Sequence, residues 1–195
     1  MINGKTITIL TVAWGSEVKK ATDILYLCRR IFPFFDDEKL ILSINNLIDY
    51  NTFMVEKINE FVKTDYVMVV QPDGFIKNPH LWSDRFLDFD YIGAPWPWHN
   101  VCGNGGFCIR SKKFIQASSE LKYNKNHPEY SECPEDNFLC LPQYNRSFFE
   151  NKGIKFADVK TALDFSFEHP ILQYPSHSKQ NSFGFHGKHN INNLE

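Results

Sequence analysis

Residues Asp65–Phe75 have the sequence DYVMVVQPDGF, and this stretch decides the fold class. The apolar run Tyr66–Val70 is rich in β-branched residues and does not alternate, which is typical of a strand buried on both faces of a parallel sheet. Pro72 cannot donate to a sheet ladder and Gly74 tolerates positive φ, so the strand ends and the chain turns. Asp73 is left at the carboxyl end of the strand, where open α/β sheets bind ligands. The ordinary alternative is that Asp73 only closes a Pro-Asp-Gly turn.

Four segments before this strand complete a β-α-β-α-β order. The predicted elements are a strand at Lys5–Ala13, a helix from Ser16 to Arg30, a strand at Lys39–Ile44 and an amphipathic helix at Asn51–Val62. Alternating strands and helices indicate a doubly wound sheet. The sequence therefore predicts an α/β fold, Rossmann-like, with a central and mostly parallel sheet and helices on both faces.

Length and composition indicate a single folded domain over residues 1–195, with a frayed tail at 190–195. The chain is 43% hydrophobic and 23% charged, which is ordinary for a folded protein. The net charge is −2 and no basic run occurs, which argues against nucleic-acid binding as the main role. The five cysteines form no CxxC pattern, so we expect reduced thiols in a cytoplasmic protein. The apolar stretch Ile7–Ala13 is too short to span a membrane, although peripheral membrane association remains open.

Two common phosphate-binding motifs are missing from the chain. There is no GxGxxG after the first strand and no GxxxxGK[ST], which disfavours dinucleotide oxidoreductases and P-loop NTPases. From the predicted architecture alone, we expect a nucleotide to lie across the strand ends at Thr11, Val12 and Ala13 and at Ser43–Asn45.

The order of helices and strands is less regular after residue 78. The pattern predicts short elements, which are a helix at Trp82–Phe89, a strand at Phe107–Arg110, a helix at Lys112–Leu121, a loop at Asn124–Cys133, a helix that begins at Pro134, a helical turn at Phe148–Lys152 and a strand at Ile154–Ala157.

Four short motifs follow one another along the chain: QPD at 71–73, GNGG at 103–106, PED at 134–136 and FGFHG at 183–187. Each motif alone has an ordinary structural explanation. A glycine-rich segment is usually a turn, paired acids at a helix start are more often capping residues, and a late histidine is usually a surface residue. Only the order of the four motifs is specific.

The chain resembles the glycosyltransferases of the GT-A fold. More narrowly, it is similar to a bacterial family with the signatures QPDGF, DYIGAPW, GNGGF, PED and FGFHG, and the similarity covers about Asp65–Lys188. The resemblance implies a single GT-A-like domain, a sugar-nucleotide donor with UDP favoured, and a divalent metal. Mn²⁺ is the metal most often used in this fold, and Mg²⁺ is the alternative.

The resemblance also assigns roles to the four motifs. It places a DxD motif at Gln71–Asp73, a glycine-rich acceptor loop at Gly103–Gly106, an xED motif at Pro134–Asp136 and a late metal ligand at His186. Gln71 departs from the pattern because it replaces an acid that contacts the donor ribose. Since glutamine brings no charge, we expect Asp73 and His186 to hold the metal weakly, or the diphosphate to hold most of it.

The chemistry of sugar transfer fits these assignments. A cation near Asp73 would stabilise the charge that builds on the leaving diphosphate, and a carboxylate must accept the proton of the attacking hydroxyl. Asp136 is the predicted base. The predicted acceptor-binding residues are Trp96, Trp98, Asn104, Gly105, Gly106 and Glu135. For the two tryptophans, packing beneath the proline-rich loop is an equally good interpretation.

The sequence therefore predicts a small glycosyltransferase, inverting and metal-assisted, that transfers one sugar to a glycan or glycolipid. The expected setting is bacterial surface polysaccharide synthesis, in the cytoplasm or at the inner face of the membrane. The alternative is a non-catalytic sugar- or nucleotide-binding module, which the missing first acid keeps open. A nucleotidyltransferase would usually carry a glycine-rich basic loop after the first strand, and TVAWGSEVKK matches that pattern poorly.

Overall fold

The run Tyr66–Val70 is the middle strand of a five-stranded sheet in the computed structural model, which describes residues 1–123 and 133–191. Within those residues the strands are β1 (Ile7–Val12), β2 (Asp37–Ile41), β3 (Tyr66–Val70), β4 (Phe75–Ile76), β5 (Tyr91–Gly93), β6 (Pro95–Trp96), β7 (Val101–Cys102), β8 (Phe107–Ser111), β9 (Ser166–Phe167) and β10 (Gly184–Phe185). The α-helices there are α1 (Val18–Ile31), α2 (Leu47–Thr52), α3 (Ile58–Phe61), α4 (Lys112–Ser118), α5 (Glu135–Cys140), α6 (Arg146–Asn151), α7 (Val159–Phe165) and α8 (Lys188–Ile191).

The main sheet has the strand order β2-β1-β3-β8-β5. Strand β1 pairs in parallel with β2 and β3, whereas β8 is antiparallel to both β3 and β5. Only β8 therefore runs against the other four strands, which confirms the predicted α/β fold with a mostly parallel sheet. The register of β3 and β8 places Val70 opposite Phe107, so the loop before β8 lies at the carboxyl end of β3.

Burial explains why the first half of the chain folds as its pattern predicts. All six residues of β1 are buried, as are the last four of β3. Helix α1 turns Ala21, Leu25 and Cys28 inward, at the three- and four-residue spacing of one helical face. The hydrophobic core lies between this sheet and the helices that cover it.

A second, smaller sheet has the strand order β4-β10-β9. Its strands are two residues long, so no periodic pattern announces them in the sequence. Strand β10 is antiparallel to β4 and parallel to β9. The sequence analysis also missed α7, whose start is capped by the Asp158 carboxylate, which accepts a hydrogen bond from Thr161 N at 2.9 Å.

Several element boundaries differ from the predicted ones. Strand β2 is Asp37–Ile41, and the helical segment predicted from Asn51 begins at Leu47, because the Asn46 side chain accepts a hydrogen bond from Asp49 N at 2.9 Å. That helical segment passes through a π-helical turn at Phe53–Lys57 before it continues as α3.

The later elements also differ from prediction in their type or length. The helix predicted at Trp82–Phe89 is a 3-10 helix at Asp84–Asp88. The strand predicted at Ile154–Ala157 makes only a single bridge, between Phe156 and Tyr91. Most of the loop predicted at 124–133 and the end of the predicted tail at 192–195 lie outside the described residues. Over the described part of the chain, no helix is both long enough and apolar enough to cross a membrane.

Candidate functional site

A pocket of about 270 Å³ opens at the carboxyl ends of β1 and β3. The chain leaves β1 toward β2 on one side and returns to β3 on the other, so these two strands flank the topological switch point of the sheet. Open α/β sheets bind their ligands at this point. The pocket is lined by Val12, Ala13, Trp14, Glu17, Leu47, Tyr50, Gln71, Pro72, Asp73 and Lys188.

The lining of this pocket includes most of the predicted donor-binding residues. Val12 and Ala13 contribute from the end of β1, and Gln71 and Asp73 from the end of β3. The prediction for Thr11 is corrected, because its side chain is fully buried in the sheet and does not reach the pocket. No residue of Ser43–Asn45 lines it either.

Sequence reasoning missed five of the pocket residues. Trp14 and Tyr50 form an aromatic wall, with ring centroids 6.0 Å apart, and Lys188 contributes a cation. Glu17 and Leu47 complete the missed set. The position of Trp14 directly after β1 was an available signal, because any residue at that strand end faces the switch point.

The small sheet brings together side chains that are far apart in the sequence. Strand β10 pairs with β4, which places His186 beside Asp73, and the parallel β9–β10 register places Glu168 beside His186. His186 Nε2 lies 3.3 Å from Asp73 Oδ1, and His186 Nδ1 lies 3.1 Å from Glu168 Oε1. We call Gln71, Asp73, Glu168 and His186 the acid–histidine cluster.

The imidazole of His186 is charged in this arrangement. Nδ1 faces the Glu168 carboxylate, while Nε2 faces Asp73 and also lies 3.2 Å from Gln71 Oε1, so both ring nitrogens donate. Burial lowers the pKa of His186, but hydrogen bonds to Asp73 and Glu168 outweigh it and raise the pKa to about 10. Burial raises the pKa of Asp73, yet contact with the imidazolium leaves it below its usual value.

Gln71 is held in the position where the resemblance expects an acid. Its Nε2 donates to the Tyr50 hydroxyl at 2.6 Å, which orients Oε1 toward His186. Its backbone N donates to Gly106 O at 2.8 Å. The amide thus joins the aromatic wall of the pocket to the acid–histidine cluster without adding a charge.

The residues present fit a divalent metal only as partial ligands. Asp73 Oδ1, Gln71 Oε1 and His186 Nε2 converge on one small volume. Once His186 gives up its Nε2 proton, oxygen with imidazole nitrogen is a donor set that Mn²⁺ accepts. Across residues 1–123 and 133–191, however, no group of three or more His, Cys, Asp or Glu side chains could hold a metal ion. A metal here would need most of its ligands from a bound phosphate or from water.

Glu168 connects the acid–histidine cluster to the GNGG loop. Its Oε2 accepts a hydrogen bond from Asn104 Nδ2 at 2.9 Å, while Oε1 faces His186. Asn104 is buried, and its Oδ1 accepts from Gly106 N at 3.0 Å. The sequence analysis missed Glu168. The sequence offers only a weak signal for it, an acid directly after Phe165-Ser166-Phe167.

The two glycines of this loop that were predicted to bind the acceptor pack closely against other residues of the protein. Gly105 and Gly106 are both buried and neither has a positive φ. A Cβ at Gly106 would lie 2.0 Å from His186 Nε2, and a Cβ at Gly105 would lie 2.6 Å from Glu135 Oε1. These glycines are therefore required for close packing within the protein, before any acceptor is considered.

Glu135 was predicted to bind acceptor hydroxyls, and the structure places it elsewhere. It is only 3% exposed, and its Oε1 accepts a hydrogen bond from Arg110 Nη2 at 2.9 Å. Arg110 is fully buried and lies over the ring of Tyr91. This buried ion pair leaves Glu135 no open face toward an acceptor, so its role is to hold α5 against β8.

Asp136, the predicted base, lies next to this pair and behind the GNGG loop. Its Oδ2 accepts from Gly105 N at 2.9 Å and its Oδ1 from Asn137 N at 2.8 Å. Burial raises the pKa of Asp136, and the two backbone donors with the charges of Arg110 and His186 only partly oppose it. A half-buried carboxyl with a raised pKa is a better proton acceptor than an ordinary surface aspartate.

The two tryptophans predicted to stack on sugar occupy different environments. Trp96 is 4% exposed and packs against Gly103, where a Cβ would lie 2.2 Å from its ring, so the acceptor prediction for Trp96 is corrected. Trp98 is 65% exposed at the tip of the β6–β7 hairpin. Its ring remains available to a ligand.

Fold and site together define an α/β protein with a pocket at the sheet switch point and an acid–histidine cluster beside it. The chain belongs to the family described as protein of unknown function (DUF5672), whose profile matches residues 34–186. No curated protein sequence matches the chain significantly.

Several solved structures are similar to this chain. A glycosyltransferase involved in the glycosylation of the major capsid of PBCV-1 is similar with a TM-score of 0.59 and 13% identity, over 94% of this chain and 93% of that one. The galactosyltransferase LgtC, in complex with donor and acceptor sugar analogs, is similar with a TM-score of 0.46 and 12% identity, over 93% of this chain and 87% of that one. The glycosyltransferase GlyE of Streptococcus pneumoniae TIGR4 is similar with a TM-score of 0.47 and 13% identity, over 98% of this chain and 57% of that one. The first of these likenesses establishes that the chain has the fold of a glycosyltransferase.

Proposed function

We propose that this protein is a glycosyltransferase that moves one sugar from a nucleotide-sugar donor to a hydroxyl of a glycan or glycolipid acceptor. The observation that carries the proposal is the convergence of three motifs, QPD, GNGG and FGFHG, at the edge of the sheet where the pocket opens. Asp73 and Gln71 belong to both the pocket and the acid–histidine cluster. Binding and reacting groups are therefore adjacent.

The pocket suits the nucleotide of the donor. Aromatic rings bind bases through their faces, and Trp14 and Tyr50 provide such rings at one side of the pocket. Lys188, which directly follows the FGFHG motif, also lines the pocket and provides a positive charge that can meet a phosphate. UDP is the nucleotide that the resemblance favours.

The acid–histidine cluster suits the diphosphate leaving group. The imidazolium of His186 is a fixed cation, held between Asp73 and Glu168, close to the place where negative charge would develop. A divalent ion, Mn²⁺ or Mg²⁺, is the alternative cation at this place: Asp73 would hold it together with His186 in its neutral form, and the diphosphate would supply the remaining ligands. Such an ion supplies Lewis-acid stabilisation of the departing charge.

Asp136 suits the role of general base. Its carboxyl is fixed by Gly105 and Asn137, and burial raises its pKa above the usual value of an aspartate, which makes it a stronger base. A base that activates the acceptor hydroxyl supports an inverting single displacement. We expect the reaction to run in the cytoplasm, at the inner face of the membrane if the acceptor is a glycolipid, in surface polysaccharide synthesis.

A thermal-shift panel of UDP-, GDP-, CMP- and dTDP-sugars tests the donor assignment. A ligand at 100 times its Kd stabilises the native state by about 2.7 kcal/mol, so a true donor raises Tm measurably. We expect one nucleotide class to raise Tm, and the rise to increase with Mn²⁺. If no nucleotide sugar changes Tm with or without metal, the donor pocket is wrongly assigned.

Variants at Asp73 test the metal. We expect Asp73→Asn to lose the Mn²⁺-dependent part of the gain while it keeps the metal-independent part. Asp84→Asn, at an exposed acid in the 3-10 helix, is the matched control and should keep both. Equal nucleotide affinity with and without Mn²⁺ in the unmodified protein would rule out the metal role.

Product analysis separates the enzyme from the alternative, a non-catalytic binding module of the same fold. Mass spectrometry of glycan acceptors incubated with the stabilising donor should reveal an added sugar and an equal amount of released nucleotide. A donor that raises Tm but is never consumed, neither by transfer nor by hydrolysis, would favour the binding module.

A further inference from the structure

Three exposed or half-exposed rings form a row beside the site: Trp98, His169 and His189. The ring centroids of Trp98 and His169 are 5.6 Å apart, and those of His169 and His189 are 4.9 Å apart with their planes nearly parallel, at 12°. The three residues come from separate segments, which are the β6–β7 hairpin, the turn after β9 and helix α8. We call these three residues the aromatic row.

The aromatic row contacts Glu168, the residue that also orients His186 in the acid–histidine cluster. His189 Nε2 donates to the backbone O of Glu168 at 2.9 Å, and His169 Nε2 lies 4.0 Å from Glu168 Oε1. The Glu168 side chain holds His186 and Asn104. Glu168 therefore lies between the aromatic row and His186. Through Asn104 it also joins the row to the GNGG loop, whose Gly105 N donates to Asp136.

We propose that the aromatic row is the acceptor subsite, and that the acceptor presents a saccharide whose pyranose ring stacks on Trp98. This inference rests on the proposed transfer reaction and names its acceptor class. One face of a pyranose is a sheet of C–H groups, which packs on an aromatic ring, while its edge carries hydroxyls. The row also carries polar atoms, because His169 is half-exposed and its imidazole has two nitrogens that can meet such hydroxyls.

Exposure supports a ligand rather than internal packing for this tryptophan. Trp96, two residues earlier in the same hairpin, is 4% exposed, whereas Trp98 is 65% exposed. The backbone N of His99 and of Asn100 both donate to Trp96 O, which fixes the hairpin turn that presents Trp98. A large aromatic ring held outward beside reacting groups is the feature that sugar-binding surfaces require.

Fluorine NMR of protein labelled with 5-fluorotryptophan tests both ends of the site in one spectrum. The chain has four tryptophans, so four signals are expected, and each is assigned by its single Trp→Phe variant. Trp14 lies in the donor pocket, Trp98 in the aromatic row, and Trp96 and Trp82 outside both. The probes are a UDP-sugar and, separately, the methyl glycosides of glucose, galactose, mannose and rhamnose, with acyclic sorbitol as a control.

We expect the UDP-sugar to shift the Trp14 signal, and at least one methyl glycoside to shift the Trp98 signal while sorbitol does not. A Trp14 signal that ignores every nucleotide sugar contradicts the proposed function, whatever Trp98 does. A Trp98 signal that ignores all four glycosides, or responds equally to sorbitol, overturns the acceptor subsite and leaves the donor assignment standing.

Variants give the second measurement. Replacement of stacking rings usually weakens an interaction about three- to tenfold, so Trp98→Ala should raise the acceptor KM by that factor with donor KM unchanged. Trp98→Phe should keep most of the affinity, and Tyr26→Ala, which removes an equally exposed ring on α1, should change neither KM. An unchanged acceptor KM in Trp98→Ala would contradict the proposal.

Discussion

The donor side and the acceptor side of the site are held together by different kinds of interaction. On the donor side, the ends of β1 and β3 place Val12, Ala13 and Asp73 through the backbone hydrogen bonds of regular parallel strands. On the acceptor side, Asp136 and Glu168 are placed by hydrogen bonds that their carboxylates accept from the GNGG loop, across long sequence separations. The comparison teaches that one half of the site depends on sheet geometry and the other on a buried polar network, and these two halves should fail differently when they are mutated.

The largest expected effect is on catalysis by Asp136→Asn. The amide keeps the size, and its one oxygen can still accept from Gly105 N while the bond from Asn137 N is lost. The loop should therefore stay in place, but the amide cannot take a proton. We expect kcat to fall about 10²- to 10⁴-fold, the usual contribution of a general base, with donor affinity little changed. Steady-state transfer kinetics and a melting curve measure both quantities.

Asp84→Asn is the control for the loss of one surface charge and should leave kcat unchanged. A folded Asp136→Asn variant with near-normal kcat would mean that Asp136 only fixes the GNGG loop. The acceptor side would then still be held together by other interactions than the donor side, but it would not supply the base.

The next effect is on stability, and it tests the buried network directly. Arg110→Met removes the cationic partner of the buried Glu135 carboxylate. Loss of one member of a buried ion pair typically costs about 3–5 kcal/mol. Chemical denaturation should therefore give a lower free energy of unfolding for Arg110→Met, together with weaker activity, because α5 carries both Glu135 and Asp136.

The double variant Arg110→Met with Glu135→Gln is the control. It replaces the unpaired charge by a neutral amide and should recover part of the lost free energy of unfolding. The cost in the single variant should also grow as pH rises, because burial already raises the pKa of Glu135 to about 7 and the ionised form then lacks a partner. A cost below 1 kcal/mol at pH 8 would mean that the ion pair does not hold the acceptor side together.

These two regions also differ in how far the sequence could predict them. The unbroken apolar runs at Ile7–Val12 and Tyr66–Val70 predicted the parallel strands, and with them the edge where the pocket opens. The small sheet could not be predicted, because a strand of two residues has no measurable period. The contact between Asp73 and His186 depends on that sheet, so no local pattern predicted it, and only the family resemblance brought these two residues together as metal ligands.

Burial was the other quantity that the sequence could not provide. Trp96 and Trp98 stand in the same proline-rich segment and were both predicted to bind the acceptor. PED contains two adjacent acids, and both were predicted to act in the site, Asp136 as the base and Glu135 on acceptor hydroxyls. The structure separates them, because Trp96 and Glu135 are buried while Trp98 is exposed and Asp136 is half-buried. Which neighbour faces inward depends on tertiary packing, which no local pattern contains.

The third prediction concerns the pH dependence of stability that His186 provides. Its pKa is raised from 6.5 to about 10 in the folded protein. A raised pKa stabilises the folded state fully below the unfolded value near 6.5, and this contribution is lost as pH rises through about 10. Since each pKa unit corresponds to about 1.4 kcal/mol, the contribution near pH 6 amounts to several kcal/mol at most.

Denaturation of the unmodified protein and of His186→Gln, both in EDTA, measures this contribution as a difference. We expect the unmodified protein to be more stable at pH 6 and the difference to shrink steadily between pH 7 and pH 10. Groups that titrate in both proteins cancel to first order. A difference that stays constant over this range would mean that His186 is not held as an imidazolium by Asp73 and Glu168.

The smallest expected effect compares one interaction that occurs in both halves of the chain. The Asp65 carboxylate accepts from Thr6 N and Thr6 Oγ1, and the Asp158 carboxylate accepts from Thr161 N and Thr161 Oγ1. The pKa of each is lowered: backbone and side-chain hydrogen bonds from Thr6 are the main cause at Asp65, and at Asp158 those from Thr161 outweigh the effect of burial. Asp65→Ala and Asp158→Ala should each cost about 0.5–2 kcal/mol at pH 7, with kcat unchanged.

A lowered pKa makes these contributions complete above the unfolded value of 3.8, and they should be lost as pH falls below it. Melting curves of both variants from pH 7 to pH 3 test this, since each should approach the unmodified protein at the acidic end. If the two variants lose equal free energies of unfolding, the two sides of the site differ only in the buried network around Arg110 and Glu168. A cost found only in Asp158→Ala would instead mean that the C-terminal half depends on side-chain hydrogen bonds even where the local geometry matches that of the N-terminal half.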